Sequence, residues 1–104
     1  MANSLSKGLL EKRIEQAVIR LCPEALVLKT HQRDWPDRVF FLPGGHCFFI
    51  EFKRPGEQLR HGQRAAKERL EEQGFAVYVV DDIAEGIRAI EIERSVEKCQ
   101  RRDY

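Results

Sequence analysis

The stretch Pro36-Asp37-Arg38-Val39-Phe40-Phe41-Leu42-Pro43-Gly44-Gly45-His46-Cys47-Phe48-Phe49-Ile50-Glu51-Phe52-Lys53 decides how this chain folds. Two apolar runs flank a Pro-Gly-Gly turn, which is the pattern of a β-hairpin. A hairpin returns the chain on itself, so Asp37 at its entrance comes back beside Glu51 at its exit. Successive strand residues point to opposite faces. Glu51 and Lys53 therefore share one face with Cys47 and Phe49, while Phe48, Ile50 and Phe52 form an apolar set on the other, suited to a core. On the first strand Asp37, Val39 and Phe41 alternate with Arg38, Phe40 and Leu42.

Two carboxylates and an ammonium beside a core are costly unless they are paired or bind a metal. A lone Glu-x-Lys on a strand is ordinarily a solvated face or a cross-strand ion pair. Here the aspartate at hairpin distance and the apolar strands around it favour a cation site. Hard divalent cations held by carboxylate oxygens neutralise a phosphodiester and acidify water, and Mg²⁺ is satisfied by one or two carboxylates plus substrate phosphate. Lys53 beside these acids is expected to stabilise developing negative charge at least as much as it removes a proton.

Upstream of the hairpin, Leu10, Ile14, Ala17, Val18 and Leu21 fall at helical spacing, with Ser6 as a candidate N-cap and Pro23 as the stop. Glu11 and Glu15 lie one turn apart beside that apolar stripe. Either could lean over the end of a sheet toward the metal acids, or both could be solvated helix acids. Ala25 to Lys29 suits a first strand, and Thr30 to Trp35 a polar loop in which Trp35 either packs or faces a nucleic acid.

Downstream, Arg54-Pro55-Gly56 breaks the strand and a helix is expected from about Gln58 to Gln73, stopped by Gly74. Gln63, Ala66 and Leu70 share its inward face, so Gln63 needs polar partners, which the Glu51 and Lys53 pair could supply. Phe75 to Val80 is apolar throughout and is expected to be a central strand. Ile83 to about Ile92 returns to helical spacing. Residues 1–7 and about 94–104 are expected to be flexible or dimer-associated, the latter extending the last helix or fraying. The order of elements gives an α/β fold with a mixed central sheet flanked by helices.

At 104 residues the chain makes a single domain, and its net charge of +1 sets up no overall field for nucleic acid. Basic residues nevertheless flank the acids, with Lys29 and Arg33 before them and Arg54, Arg60 and Arg64 after, as phosphate contacts or as solubilising charge. Three dispersed cysteines without a C-x-x-C pair point to reduced thiols. His46 is expected to occupy the turn. No signal peptide and no membrane-spanning apolar stretch is seen, so a cytoplasmic setting is expected. No Gly-rich phosphate loop and no helix-turn-helix pattern is present.

Glu11, Pro36-Asp37, the Pro-Gly-Gly turn, Glu51-Phe52-Lys53 and Gln63 stand in the order in which the chain resembles the VRR-NUC group of PD-(D/E)XK nucleases, from about Gly8 to Ile83. The resemblance implies a restriction-endonuclease-like core. It implies Asp37 and Glu51 as metal-binding acids, the Phe52 carbonyl as a further ligand, and Lys53 as the lysine that positions or activates water. Glu11, or Glu15 in its place, would support the metal, and Gln63 would close the motif. The cofactor would be Mg²⁺ or Mn²⁺, and the substrate DNA. Stand-alone relatives of this kind are found in phages and bacteria, which implies a homodimeric, structure-selective endonuclease of the Holliday-junction resolvase type. Activity on linear, flap or single-stranded DNA, or a non-catalytic DNA-binding module on the same fold, are the alternatives. Asp34-Trp35 stands where many relatives carry a glycine-containing segment, so the shape of that loop is open.

Overall fold

A computed structural model describes residues 5–102; residues 1–4 and 103–104, which belong to the terminal segments expected to be flexible, lie outside the described residues. The elements are α1 (Lys7–Leu21), β1 (Leu26–Lys29), β2 (Arg38–Leu42), β3 (His46–Phe52), α2 (His61–Glu72), β4 (Ala76–Val80) and α3 (Ile83–Arg102), with a short 3-10 turn at Pro43–Gly45. Ser6 caps α1 by accepting from the Leu9 N–H at 3.2 Å, which spares one of the donors a helix start leaves open. Residues 94–102 form the second half of α3. Among the described residues no helix is long and apolar enough to cross a membrane.

The four strands lie in the order β1-β2-β3-β4. β1, β2 and β3 are antiparallel neighbours, and β4 runs parallel to β3 through the α2 crossover, so the sheet is mixed. Strand alternation divides the core in two. On one face Phe40, Phe48, Ile50 and Phe52 pack with Leu10, Ile14 and Val18 of α1 and Ile90 of α3; on the other Val39, Phe49 and Val77 pack with Leu70 of α2. Phe40, Phe48, Ile50 and Phe52 are fully buried, so each contributes roughly 1.5–3 kcal/mol of apolar burial.

Three expectations need correction. β4 is an edge strand, not a central one. Its apolar run reflects two covered faces, Val77 against α2 and Val80 in the α1/α3 core, and a covered face does not require a second strand neighbour. His46 leaves the turn and opens β3, where its Nε2 lies 2.7 Å from Glu93 Oε1 on α3. Tyr78 also donates to Glu93, and burial together with that carboxylate pushes its phenol upward. Finally, α2 starts at His61 rather than near Gln58, because the Gln63 carboxamide accepts from the Arg60 N–H at 2.9 Å and fixes Arg60 as an extended cap.

Arg38 clamps α1 to the sheet. It is buried on the α1 face of β2, with Nη1 at 3.0 Å from Glu11 Oε1 and Nε bonded to Glu15 Oε1. The Arg38→Met variant would strand two carboxylates, one of them only 14% exposed, and is expected to cost about 2–4 kcal/mol, with partial recovery when Glu11→Gln is added; thermal unfolding of the three proteins checks this. α3 crosses α1 so closely that a Cβ on Gly86 would lie 2.3 Å from Ile14 Cδ1 and 2.9 Å from Cγ1. Ile14 has no exposed surface into which to retreat. Gly86→Ala is therefore expected to destabilise by about 1–3 kcal/mol although alanine favours a helix interior by about 1 kcal/mol, as urea unfolding would show.

Candidate active site

The β2–β3 register sets Arg38 opposite Ile50, so Asp37, one residue before the strand, stands next to the Glu51–Phe52 peptide. Its Oδ2 accepts from the Phe52 N–H at 2.9 Å. Lys7, at the first residue of α1, brings its Nζ to 3.4 Å from the same oxygen. Asp37 is thus held from two sides while remaining partly exposed.

Glu51 and Lys53 project to the α2 face and are buried, at 3% and 5% exposure. Gln63, also buried, links them. Its Nε2 donates to Glu51 Oε2 at 2.9 Å and its Oε1 accepts from Lys53 Nζ at 2.8 Å. Lys53 Nζ lies 3.6 Å from that same Glu51 oxygen, and the Lys53 N–H bonds Val80 O at 2.9 Å, which ties the residue to the end of β4. The inward glutamine thus has the partners its spacing demanded.

The second Glu51 oxygen, Oε1, is buried and has no hydrogen-bond partner among the described residues. An orphaned carboxylate oxygen is expensive in a protein interior. Burial first, and then the Asp37 charge, push the Glu51 carboxyl up to about 7, against the opposing pull of Lys53 and Lys7. Both facts describe a negative site short of positive charge, and an unshared hard oxygen beside a second carboxylate is chemistry that suits a hard divalent cation. Asp37, Glu51 and the carbonyl of Phe52 between them are the groups that could hold it.

Glu11 and Glu15 are placed on the other face of β2, where both engage Arg38. Arg38 Nη1 also donates to the Asp37 carbonyl at 3.1 Å, so the helix acids connect to Asp37 through this arginine. Sequence reasoning missed Arg38 and Lys7. Alternation did put Arg38 on the same face as Phe40 and Leu42, and a cation there requires acidic partners; nothing in the local sequence marks Lys7. Of the flanking cations, Lys29, Arg33, Arg54, Arg60 and Arg64 are all exposed, and Arg60 reaches Asp34 Oδ1 at 3.4 Å. Asp34 takes φ 67°, so it adopts the left-handed turn conformation a glycine would supply.

A separate group of carboxylates, Asp81, Asp82 and Glu85, gathers within 4.8 Å where β4 meets α3. Asp82 Oδ1 accepts from the Glu85 N–H at 2.8 Å, which caps α3. It stands apart from the Asp37 and Glu51 pair in the chain and has a structural role of its own.

No protein-family model and no curated protein matches the sequence. A solved structure described as a VRR_NUC domain superposes with a TM-score of 0.73 at 26% identity, over 82% of this chain and 94% of that one. That likeness, spanning most of this chain and nearly all of the other, supports a VRR-NUC nuclease domain on a restriction-endonuclease-like fold.

Proposed function

We propose that the chain is a Mg²⁺- or Mn²⁺-dependent DNA endonuclease that acts on branched DNA as a homodimer. The observation that carries the reading is the buried Glu51 carboxylate, with one oxygen unpartnered among the described residues and a second carboxylate, Asp37, beside it. A bound divalent cation supplies charge neutralisation at the phosphate and acidifies water. Asp37 and Glu51 provide the hard oxygens for it, with the Phe52 carbonyl as a further donor. Lys53, held by Gln63, presents an ammonium whose remaining N–H groups stabilise charge developing on the phosphate. Gln63 aligns Lys53 and Glu51 and touches neither substrate nor water in this scheme. Glu11 and Glu15 act through Arg38 as positioning residues for Asp37.

Cutting both strands of a four-way junction symmetrically is simplest for two copies related by a two-fold axis. Leu26, Leu28 and Phe41 support a second copy, since they share the sheet face that α2 leaves uncovered and are 68%, 57% and 40% exposed. The exposed Lys29, Arg33, Arg54, Arg60 and Arg64 offer phosphate contacts around the site.

Cleavage of matched four-way-junction, flap, linear duplex and single-stranded DNA tests the reading. Metal-dependent cutting of the junction is expected, lost in Asp37→Ala and reduced about 100-fold or more in Lys53→Met, with sedimentation showing a dimer. Tight junction binding without cutting of any substrate would instead mean a binding module. A second expectation concerns the metal-free protein. The Glu51 carboxyl rises from its ordinary value near 4.5 to about 7 on folding, so between those values the folded chain holds a proton that the unfolded chain has lost. Stability conferred by that proton is complete below about 4.5 and is lost as pH rises through about 7. Thermal unfolding in chelator should show this decline, Glu51→Gln should flatten it, and Mg²⁺ should raise the melting temperature of the wild type but not of Asp37→Ala.

A further inference from the structure

A groove of about 610 Å³ runs beside the site between the 32–35 loop and α2. Trp35 and Phe75 line it, and both set their rings edge-to-face against Phe49, with centroids 6.0 and 5.8 Å away. Phe49 thus seats two aromatic groups that remain 41% and 38% exposed. On the α2 side the groove is kept open by small residues, Gly62, Ala65 and Ala66. A Cβ at position 62 would collide with the Asp34 carboxylate at 2.2 Å, so helix and loop approach as closely as glycine permits.

The charges choose among occupants. Arg33 and Arg69 belong to the lining, along with Asp34 and Glu72. Arg60 and Arg33 lie 3.4 and 4.0 Å from the Asp34 carboxylate and offset it, while Arg69 and Glu72 stand together in the last turn of α2, remote from Gln63. At the end where Gly62 adjoins Gln63, Arg33 and Arg60 outnumber Asp34, and Asp34 also lines the small cleft that reaches Glu51 and Gln63, so the groove adjoins the site at that end. Aromatic rings with arginine beside them are how proteins hold bases of single-stranded nucleic acid, the ring stacking on a base and the cation meeting its phosphate. A base inside a paired duplex has no free face to offer.

We infer that this groove binds an unstacked base of single-stranded DNA next to the phosphate to be cut, with Trp35 as the stacking platform and Arg33 and Arg69 as phosphate contacts. The inference rests on the nuclease reading for its substrate class, and it places the cut beside a nucleotide that is unpaired or can unpair, as one at the centre of an opened four-way junction does. Paired duplex lacking such nucleotides would leave the groove empty.

Trp35 is the sole tryptophan of the chain, so its emission reports on the groove directly. The full chain in chelator would be titrated with a short oligothymidylate and with an abasic oligomer of equal length, following both tryptophan emission and the anisotropy of a label on the DNA. Saturable quenching by oligothymidylate and little by the abasic strand is the expected result. Trp35→Leu should weaken oligothymidylate binding about 10-fold with little effect on the abasic strand, while Trp35→Phe, which keeps a stacking ring, should recover most of it. Binding without quenching, equal quenching by the abasic strand, or no binding of oligothymidylate would each overturn the inference. Because no metal is present and no bond is cut, the outcome is independent of nuclease activity. Base-dependent quenching in a chain that never cleaves would sink the nuclease reading and leave the groove assignment standing.

Discussion

The Phe52 N–H donates to Asp37 Oδ2 at 2.9 Å, and this one bond locks the open end of the β2–β3 hairpin. The pairing that produces it, with Arg38 opposite Ile50 and Phe40 opposite Phe48, also decides which face each residue of both strands occupies. A slip of one residue would turn Phe48, Ile50 and Phe52 out of the α1/α3 core and drive Glu51 and Lys53 into it. Four aromatic and aliphatic side chains with no exposed surface therefore hold Asp37 and Glu51 in register far more strongly than any polar contact between them.

A polar cluster so close to the core carries a cost that the cluster does not recover by itself. Glu51, Lys53 and Gln63 are all buried, and apolar residues of like volume would leave the fold as stable or more so. The glutamine reduces the cost by serving both charged neighbours at once, as donor to one and acceptor from the other. What it leaves over is a single carboxylate oxygen, so the unmet demand is concentrated at the point where a cation would sit.

Much of this was legible in the sequence because it is local. The hairpin spans eighteen consecutive residues, from Pro36 to Lys53, and period-two alternation within it suffices to pair Asp37 with Glu51 and to separate Lys53 from Phe52. The inward glutamine follows equally well from helical spacing against Leu70. The parts that escaped depend on partners distant in the chain. His46 pairs with Glu93, forty-seven residues away; Arg38 draws in Glu11 and Glu15 from α1; and β4 reveals its edge position only through the order of the whole sheet. An apolar strand reports whether its faces are covered and says nothing of how many neighbours it has.

Gln63 performs two tasks with one side chain, since the oxygen that accepts from Lys53 also accepts from the Arg60 backbone and closes the start of α2. Helix ends are where native proteins open most readily. In this fold fraying of that first turn and disassembly of the site are a single event, because releasing the cap releases the lysine and the glutamate with it. The geometry of the Glu51, Lys53 and Gln63 cluster is thereby coupled to local unfolding, so whatever steadies the first turn of α2 also steadies the cluster.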